Sequence, residues 1–189
     1  MSSPKTNLLI APCSFEAAKF AVLNWHYSKT MPSGKLVKFG VWENDKFIGA
    51  VIYGRGANNN LAKSLNLKTT ECCELVRVAL TTHITHVTRI VAITLKLLKK
   101  LNSGLLVVAS YADETNQGHK GVIYKAGNWT YRGKSISKSG HVKLGDKIVH
   151  ARSISSRFKR ISRIPEELRV KMQKVEPQVK HLFTYDLRR

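Results

Sequence analysis

Residues 72–113 read CCELVRVALTTHITHVTRIVAITLKLLKKLNSGLLVVASYAD, and this stretch decides the fold class. Its first part, Cys72 to Leu80, is rich in β-branched and apolar residues that alternate well enough for a core strand; Glu74 and Arg77 need partners or water if they point inward. Thr88 to Leu101 then places Ile90, Ile93, Leu97, Leu98 and Leu101 on one helical face, with Lys96, Lys99 and Lys100 in the last turns, where positive charge complements the helix dipole. Gly104 ends that helix. Leu105 to Tyr111 follows as a continuous apolar run of the kind found in buried parallel strands, finishing at Ala112-Asp113-Glu114.

Upstream, Ser14 is a candidate N-cap for an amphipathic helix over Phe15 to Trp25. The helix runs into Trp25-His26-Tyr27-Ser28 and a turn-rich stretch to Lys35. Leu36 to Trp42 and Phe47 to Tyr53, separated by Glu43-Asn44-Asp45-Lys46, have the form of a β-hairpin, and Gly54 to Asn60 that of a loop. Downstream, a helix over Gly118 to Gly127 and a strand around Trp129 to Arg132 are expected. The order is helix, hairpin, strand, helix, strand, helix, strand: an α/β domain with a central mixed sheet flanked by helices. From Lys134 the pattern loosens into a basic, Ser-rich extension with a short charged helix near Glu166 to Lys174. The expected division is a catalytic core over 1–133 and an extension over 134–189 packed on it.

The chain has 189 residues, 32 Lys plus Arg against 12 Asp plus Glu, and a net charge of +20. A pI near 10.2 on a folded domain points to a polyanionic partner, nucleic acid first. Residues 132–189 carry 16 of the basic residues against 5 acids, so the charge is densest toward the C-terminus. No apolar run approaches the roughly 20 residues that span a bilayer, and the N-terminus lacks the features of a secretory signal, so no membrane partner and a cytoplasmic location are expected. Three cysteines, two of them adjacent at Cys72 and Cys73, fit a reducing compartment and not a disulfide framework.

Four segments in this order, WHYS at 25–28, ELVRVAL at 74–80, SYAD at 110–113 and GHKGVIYKAGNWTYRG at 118–133, resemble the Mom family of phage DNA-modification proteins. The last of them also resembles the acceptor-side half of the GNAT acyltransferase superfamily, which implies a GNAT-like fold. In ordinary members of that superfamily a glycine-rich loop before the central helix presents backbone N–H groups to the coenzyme A pyrophosphate. The corresponding stretch here, Thr81 to Arg89, contains no glycine. The Mom resemblance implies conversion of adenine in duplex DNA to N6-carbamoylmethyladenine, which shields phage DNA from restriction in a bacterial host. Attack of a glycyl amine on ring carbon C6, with expulsion of the original nitrogen, gives that product from an activated glycine alone. A glycyl-tRNA donor would thus account for both the missing pyrophosphate loop and the charge. An acetyl-CoA route would have to install nitrogen separately and could need a redox metal such as iron.

On that resemblance His26, Tyr27, Ser110, Asp113 and Tyr124 are the candidate catalytic residues. His26 would exchange a proton near neutral pH; Asp113 would take or position the adenine amine proton; Ser110 would hold donor or intermediate; Tyr124 would protonate the leaving group. Tyr53, Arg55, Asn128 and Trp129 are candidates for contacting substrate, an extruded adenine among them. Arg152, Arg157, Lys159, Arg160 and Arg163 are the phosphate-contact candidates. His83 and His86 have metal-ligand-like spacing, but two histidines define no site, and no metal ligand set is assigned. Two other classes fit the same chain: a conventional acetyl-CoA-dependent N-acetyltransferase, and a noncatalytic nucleic-acid-binding protein.

Overall fold

The computed structural model describes residues 6–55, 60–137, 141–144, 147–150, 165–170, 172–174 and 178–188. The phosphate-contact candidates Arg152, Arg157, Lys159, Arg160 and Arg163 lie outside the described residues. The chain divides into two compact units, one of Met1–Tyr111, Gly121–Arg132 and Leu182–Arg189, the other of Ala112–Lys120 and Gly133–His181.

In the first unit β1 (Leu8–Pro12) runs antiparallel to β2 (Leu36–Glu43), which forms a hairpin with β3 (Lys46–Gly54). Asn44 and Asp45 both take positive φ, +48° and +63°, the geometry of the type I′ turn that matches strand twist. The Asn44 side chain then accepts the Asn7 N–H at 3.0 Å and fastens β1 to the turn. Strand β4 (Cys72–Leu80) continues the antiparallel order, and β5 (Val107–Asp113) returns parallel to it after the long helix α3 (Val87–Leu101). Helix α1 (Phe15–Trp25) is capped by Ser14, whose Oγ accepts the Ala17 N–H at 3.1 Å; it buries Ala18, Ala21 and Val22 against Ala50, Ile52 and Ala79. A short helix α2 (Asn60–Ser64) follows the loop after β3.

The buried face of α3 is Ile90, Val91, Thr94, Leu95 and Leu98. It is rotated from the expected stripe: Leu101 is exposed and Thr94 is fully buried. The Thr94 hydroxyl donates to the Val91 carbonyl at 2.8 Å and lies 2.7 Å from the Tyr53 hydroxyl, so the polar atom is satisfied inside the core.

The seven-stranded sheet has the order β1-β2-β3-β4-β5-β10-β6, with β6 at Thr130–Ser137 and β10 at Gln178–Asp186. The mixed α/β sheet is as read from the sequence. Two strands of this sheet, β1 and β10, were not anticipated, and the C-terminal one differs most from the expected division. Instead of belonging wholly to an extension over 134–189, the last eight residues belong to the first unit. The helix expected over Gly118 to Gly127 is only α5 (Val122–Ala126), because Gly118 and Gly121 both have positive φ. The second unit contains α4 (Glu114–Gln117), α6 (Glu166–Val170) and a three-stranded sheet in the order β8-β7-β9, from β7 (His141–Leu144), β8 (Lys147–His150) and β9 (Met172–Lys174). There the Glu114 carboxylate meets His181 Nε2 at 2.9 Å and the Lys120 and Lys134 ammonium groups at 3.8 Å each.

Candidate active site

Strands β4 and β5 pair over only three positions, Cys72 with Val107, Cys73 with Val108 and Glu74 with Ala109, although β4 runs on to Leu80. Where the ladder stops, Ser110 takes over. Its buried hydroxyl donates to the Leu75 carbonyl at 3.0 Å and lies 2.8 Å from the Tyr124 hydroxyl. A side chain thus satisfies a main-chain acceptor that has left the ladder and ties β5 to α5.

Tyr124 is buried on α5 beside Trp129 and Phe183, with ring centroids at 5.1 and 5.2 Å. Burial pushes its phenol above the ordinary value, the Ser110 hydrogen bond works against that, and the nearby Tyr27 and Glu74 push it further up. Tyr124 therefore keeps its proton at neutral pH. Glu74 also acts on Arg77, whose guanidinium is lowered by burial and raised by Tyr27 and Glu74. Arg77 donates through Nε and Nη2 to the Thr30 carbonyl at 3.3 and 3.2 Å, and through Nη1 to the Val76 carbonyl at 2.7 Å. Both Glu74 and Arg77 were flagged in the sequence as charges in need of partners; Arg77 finds them in the Thr30 and Val76 carbonyls.

His26 closes α1, its N–H donating to the Val22 carbonyl at 3.2 Å, and it is buried. Its Nδ1 accepts the Ser28 N–H at 3.1 Å and lies 2.9 Å from the Ser28 hydroxyl. An Nδ1 that accepts from a backbone N–H carries no proton, so the neutral ring holds its proton on Nε2. Burial, then Arg77 and Lys29, lower its pKa from 6.5 to about 4. The expectation of a proton exchanger near neutral pH is corrected accordingly: His26 is a fixed neutral donor. The exposed Tyr27 ring lies against it, with centroids 4.2 Å apart.

The other candidates lie elsewhere. Tyr53 is 1% exposed and its hydroxyl is bonded to Thr94, with burial pushing its phenol far up. Arg55 and Tyr53 both border a cleft of about 440 Å³, lined also by Lys35, Thr69, Thr70 and Asn102. Trp129 is buried in the aromatic cluster, 5.6 Å from the Tyr185 ring. Asn128 is exposed at φ +61° in the turn after α5. Asp113 ends β5 in the second unit, where its carbonyl accepts the His119 N–H at 3.0 Å. Among the described residues no group of three or more His, Cys, Asp or Glu is placed to hold a metal ion. Among them, too, no helix is long and apolar enough to cross a membrane.

Ahead of α3, Glu43 occupies the loop without glycine. Its Oε2 accepts the Ile84 N–H at 2.9 Å and its Oε1 the Thr85 N–H at 2.6 Å. Coenzyme A pyrophosphate would need such N–H groups, and here a carboxylate of the chain already has them. The residues present do not fit that group at this position.

Solved structures similar to this chain are acetyltransferases. An N-acetyltransferase from Staphylococcus aureus Mu50 is 16% identical with a TM-score of 0.55, over 97% of this chain and 99% of that one. A Bacillus subtilis acetyltransferase in complex with CoA is 10% identical with a TM-score of 0.54, over 96% and 99%. A probable GNAT-family acetyltransferase from Chromobacterium violaceum is 10% identical with a TM-score of 0.52, over 95% and 83%. At such identities the likeness establishes the GNAT-like fold. A search of curated proteins gave no match. The sequence profile of the Mom protein family matches residues 7–187, nearly the whole chain, and the protein belongs to that family.

Proposed function

We propose that this protein is a transferase that converts adenine in duplex DNA to N6-carbamoylmethyladenine, with glycyl-tRNA as the donor. The observation that carries the reading is the group at the end of the β4–β5 ladder: the Tyr124 hydroxyl 2.8 Å from the Ser110 hydroxyl, which itself holds the Leu75 carbonyl, on a strand that also carries Glu74 and Arg77. Membership of the Mom family and the net charge of +20 support a DNA substrate.

The chemistry balances in two steps. The adenine amine, extruded from the duplex, attacks the glycyl carbonyl carbon. A new N–C bond forms, Glu74 takes the amine proton, and the bond to the tRNA ribose oxygen breaks as Tyr124 protonates that oxygen. The Arg77 charge favours the oxyanion between these events. The glycyl amine then attacks C6 through a five-membered ring. The bond from C6 to the original nitrogen breaks, and that nitrogen ends as the terminal carboxamide. Rearranged and unrearranged products are isomers, so no oxidant or second donor is consumed. His26, as a neutral Nε2 donor, positions a carbonyl or ring nitrogen and moves no proton. Asp113 is the alternative acceptor for the amine proton.

Nucleosides from plasmid DNA of cells expressing the protein in 15N-glycine test this by mass spectrometry. The expected species is an adenosine heavier by one glycyl unit, whose 15N survives hydrolysis of the carboxamide because it is bonded to C6. Glu74→Gln and Ser110→Ala should abolish it, and loss with Asp113→Ala alone would move proton acceptance to Asp113. Unmodified DNA from a folded, soluble protein would refute the proposal in favour of a binding protein or a conventional acetyltransferase.

A further inference from the structure

We infer that Glu43 is a built-in anion that closes the phosphate position ahead of α3 and thereby excludes donors presenting a pyrophosphate there, coenzyme A thioesters included. It is only 6% exposed, and each of its carboxylate oxygens takes one main-chain N–H of the loop, from Ile84 and from Thr85. Elsewhere in the loop the Thr81 N–H donates to the Ile48 carbonyl at 2.9 Å, and His83 Nδ1 donates to the Thr81 carbonyl at 2.6 Å. Turning the Glu43 side chain away would give up both main-chain hydrogen bonds, and its backbone is fixed at the end of β2, paired with Leu8 on one side and with Lys46 across the type I′ turn on the other. Burial raises its carboxyl pKa, but the Thr85 side chain, the two N–H groups and His83 outweigh this and hold it below the ordinary value, so it is charged at neutral pH. A pyrophosphate would have to displace one buried anion by another, or bind beside it against repulsion in a poorly screened position. Side chains on every residue from Thr81 to Arg89 add bulk where a glycine loop would let phosphate oxygens approach the main chain.

The inference deepens the donor half of the proposed reaction, and its test contains no DNA-modification step, so the two fail separately. The 15N-labelled full chain is followed by NMR at the Ile84 and Thr85 amides. In the wild type both should titrate together, with a midpoint below the ordinary carboxylate value, and neither should respond to millimolar coenzyme A or inorganic pyrophosphate. In Glu43→Ala the two amides should shift saturably with pyrophosphate, and in Glu43→Gln their common titration should vanish. A saturable response of the wild-type amides to coenzyme A overturns the inference, as does a folded Glu43→Ala protein that ignores pyrophosphate. If Glu43→Ala does not fold, the wild-type titrations decide.

Discussion

Replacing His26 by Asn gives a direct thermodynamic test of the site's electrostatics. The Asn side-chain oxygen can take over the role of Nδ1, accepting the Ser28 N–H, while removing the titration. In the wild type the folded pKa is about 4 against 6.5 for the free side chain. Between these values the unfolded chain binds a proton that the folded chain refuses, so stability falls as pH drops from 6.5 toward 4 and levels off below. At about 1.4 kcal/mol per pKa unit, the loss between pH 7 and 4.5 is about 2.4 kcal/mol, and screening at the ring edge reduces it to about 2. Urea denaturation at several pH values gives the stability of each protein. Other groups titrate alike in both, so the difference between wild type and variant isolates His26. That difference should shift by about 2 kcal/mol against the wild type as pH falls. A pH-independent difference, or a His26 resonance titrating near the free value, would show that the ring is solvated and that the neutral-donor role is wrong.

Tyr124→Phe keeps the ring in its aromatic cluster and removes the acid; modified adenine should fall by about 10²-fold or more with a melting temperature close to wild type. Gly121→Ala should lower stability by about 2 kcal/mol or more in a thermal melt, because Gly121 has φ +81° and an added Cβ would collide with the Phe183 ring. DNA affinity should fall linearly with log salt, and neutralising any one of Arg152, Arg157, Lys159, Arg160 or Arg163 to Gln should reduce the slope by about 1; a salt-independent affinity would contradict phosphate contact.

The strand–helix–strand stretch over 72–113 was legible because its periods are set locally: alternation in β4, a 3.6-residue stripe in α3 and an apolar run into β5. The hairpin around Glu43-Asn44-Asp45-Lys46 was legible for the same reason, its type I′ turn only from the positive φ of Asn44 and Asp45. What stayed hidden depends on partners distant in sequence. The rotation of the α3 face follows from one contact, Tyr53 with Thr94, 41 residues apart. Glu43 reads as an ordinary hairpin-end residue until its carboxylate is seen on Ile84 and Thr85. Arg77 carried the clue of charge inside a strand, yet its partner, the Thr30 carbonyl, comes from the segment after α1. Strand β10 is short on alternation and follows a long basic stretch, so its place between β5 and β6 has no local signature.

That last strand decides how the basic region must be studied. A truncation at the sequence-read boundary, after Gly133, looks as though it would free a catalytic core from an appendage. It would also delete Phe183, which is fully buried and whose ring lies 5.2 Å from those of both Tyr124 and Tyr131. Losing a buried Phe costs about 3–5 kcal/mol by itself, a large part of the 5–15 kcal/mol that holds a domain folded. The Thr184 hydroxyl that accepts from Arg132 Nε at 2.9 Å goes with it. The truncated chain should therefore show no cooperative unfolding transition, and its loss of DNA modification would say nothing about DNA contact. Charge-neutralising variants within 152–163 leave β10 in place, so they should melt like the wild type and lose activity only through binding. A 1–133 fragment that unfolds cooperatively at wild-type temperature would refute this and return the C-terminal residues to the status of an appendage.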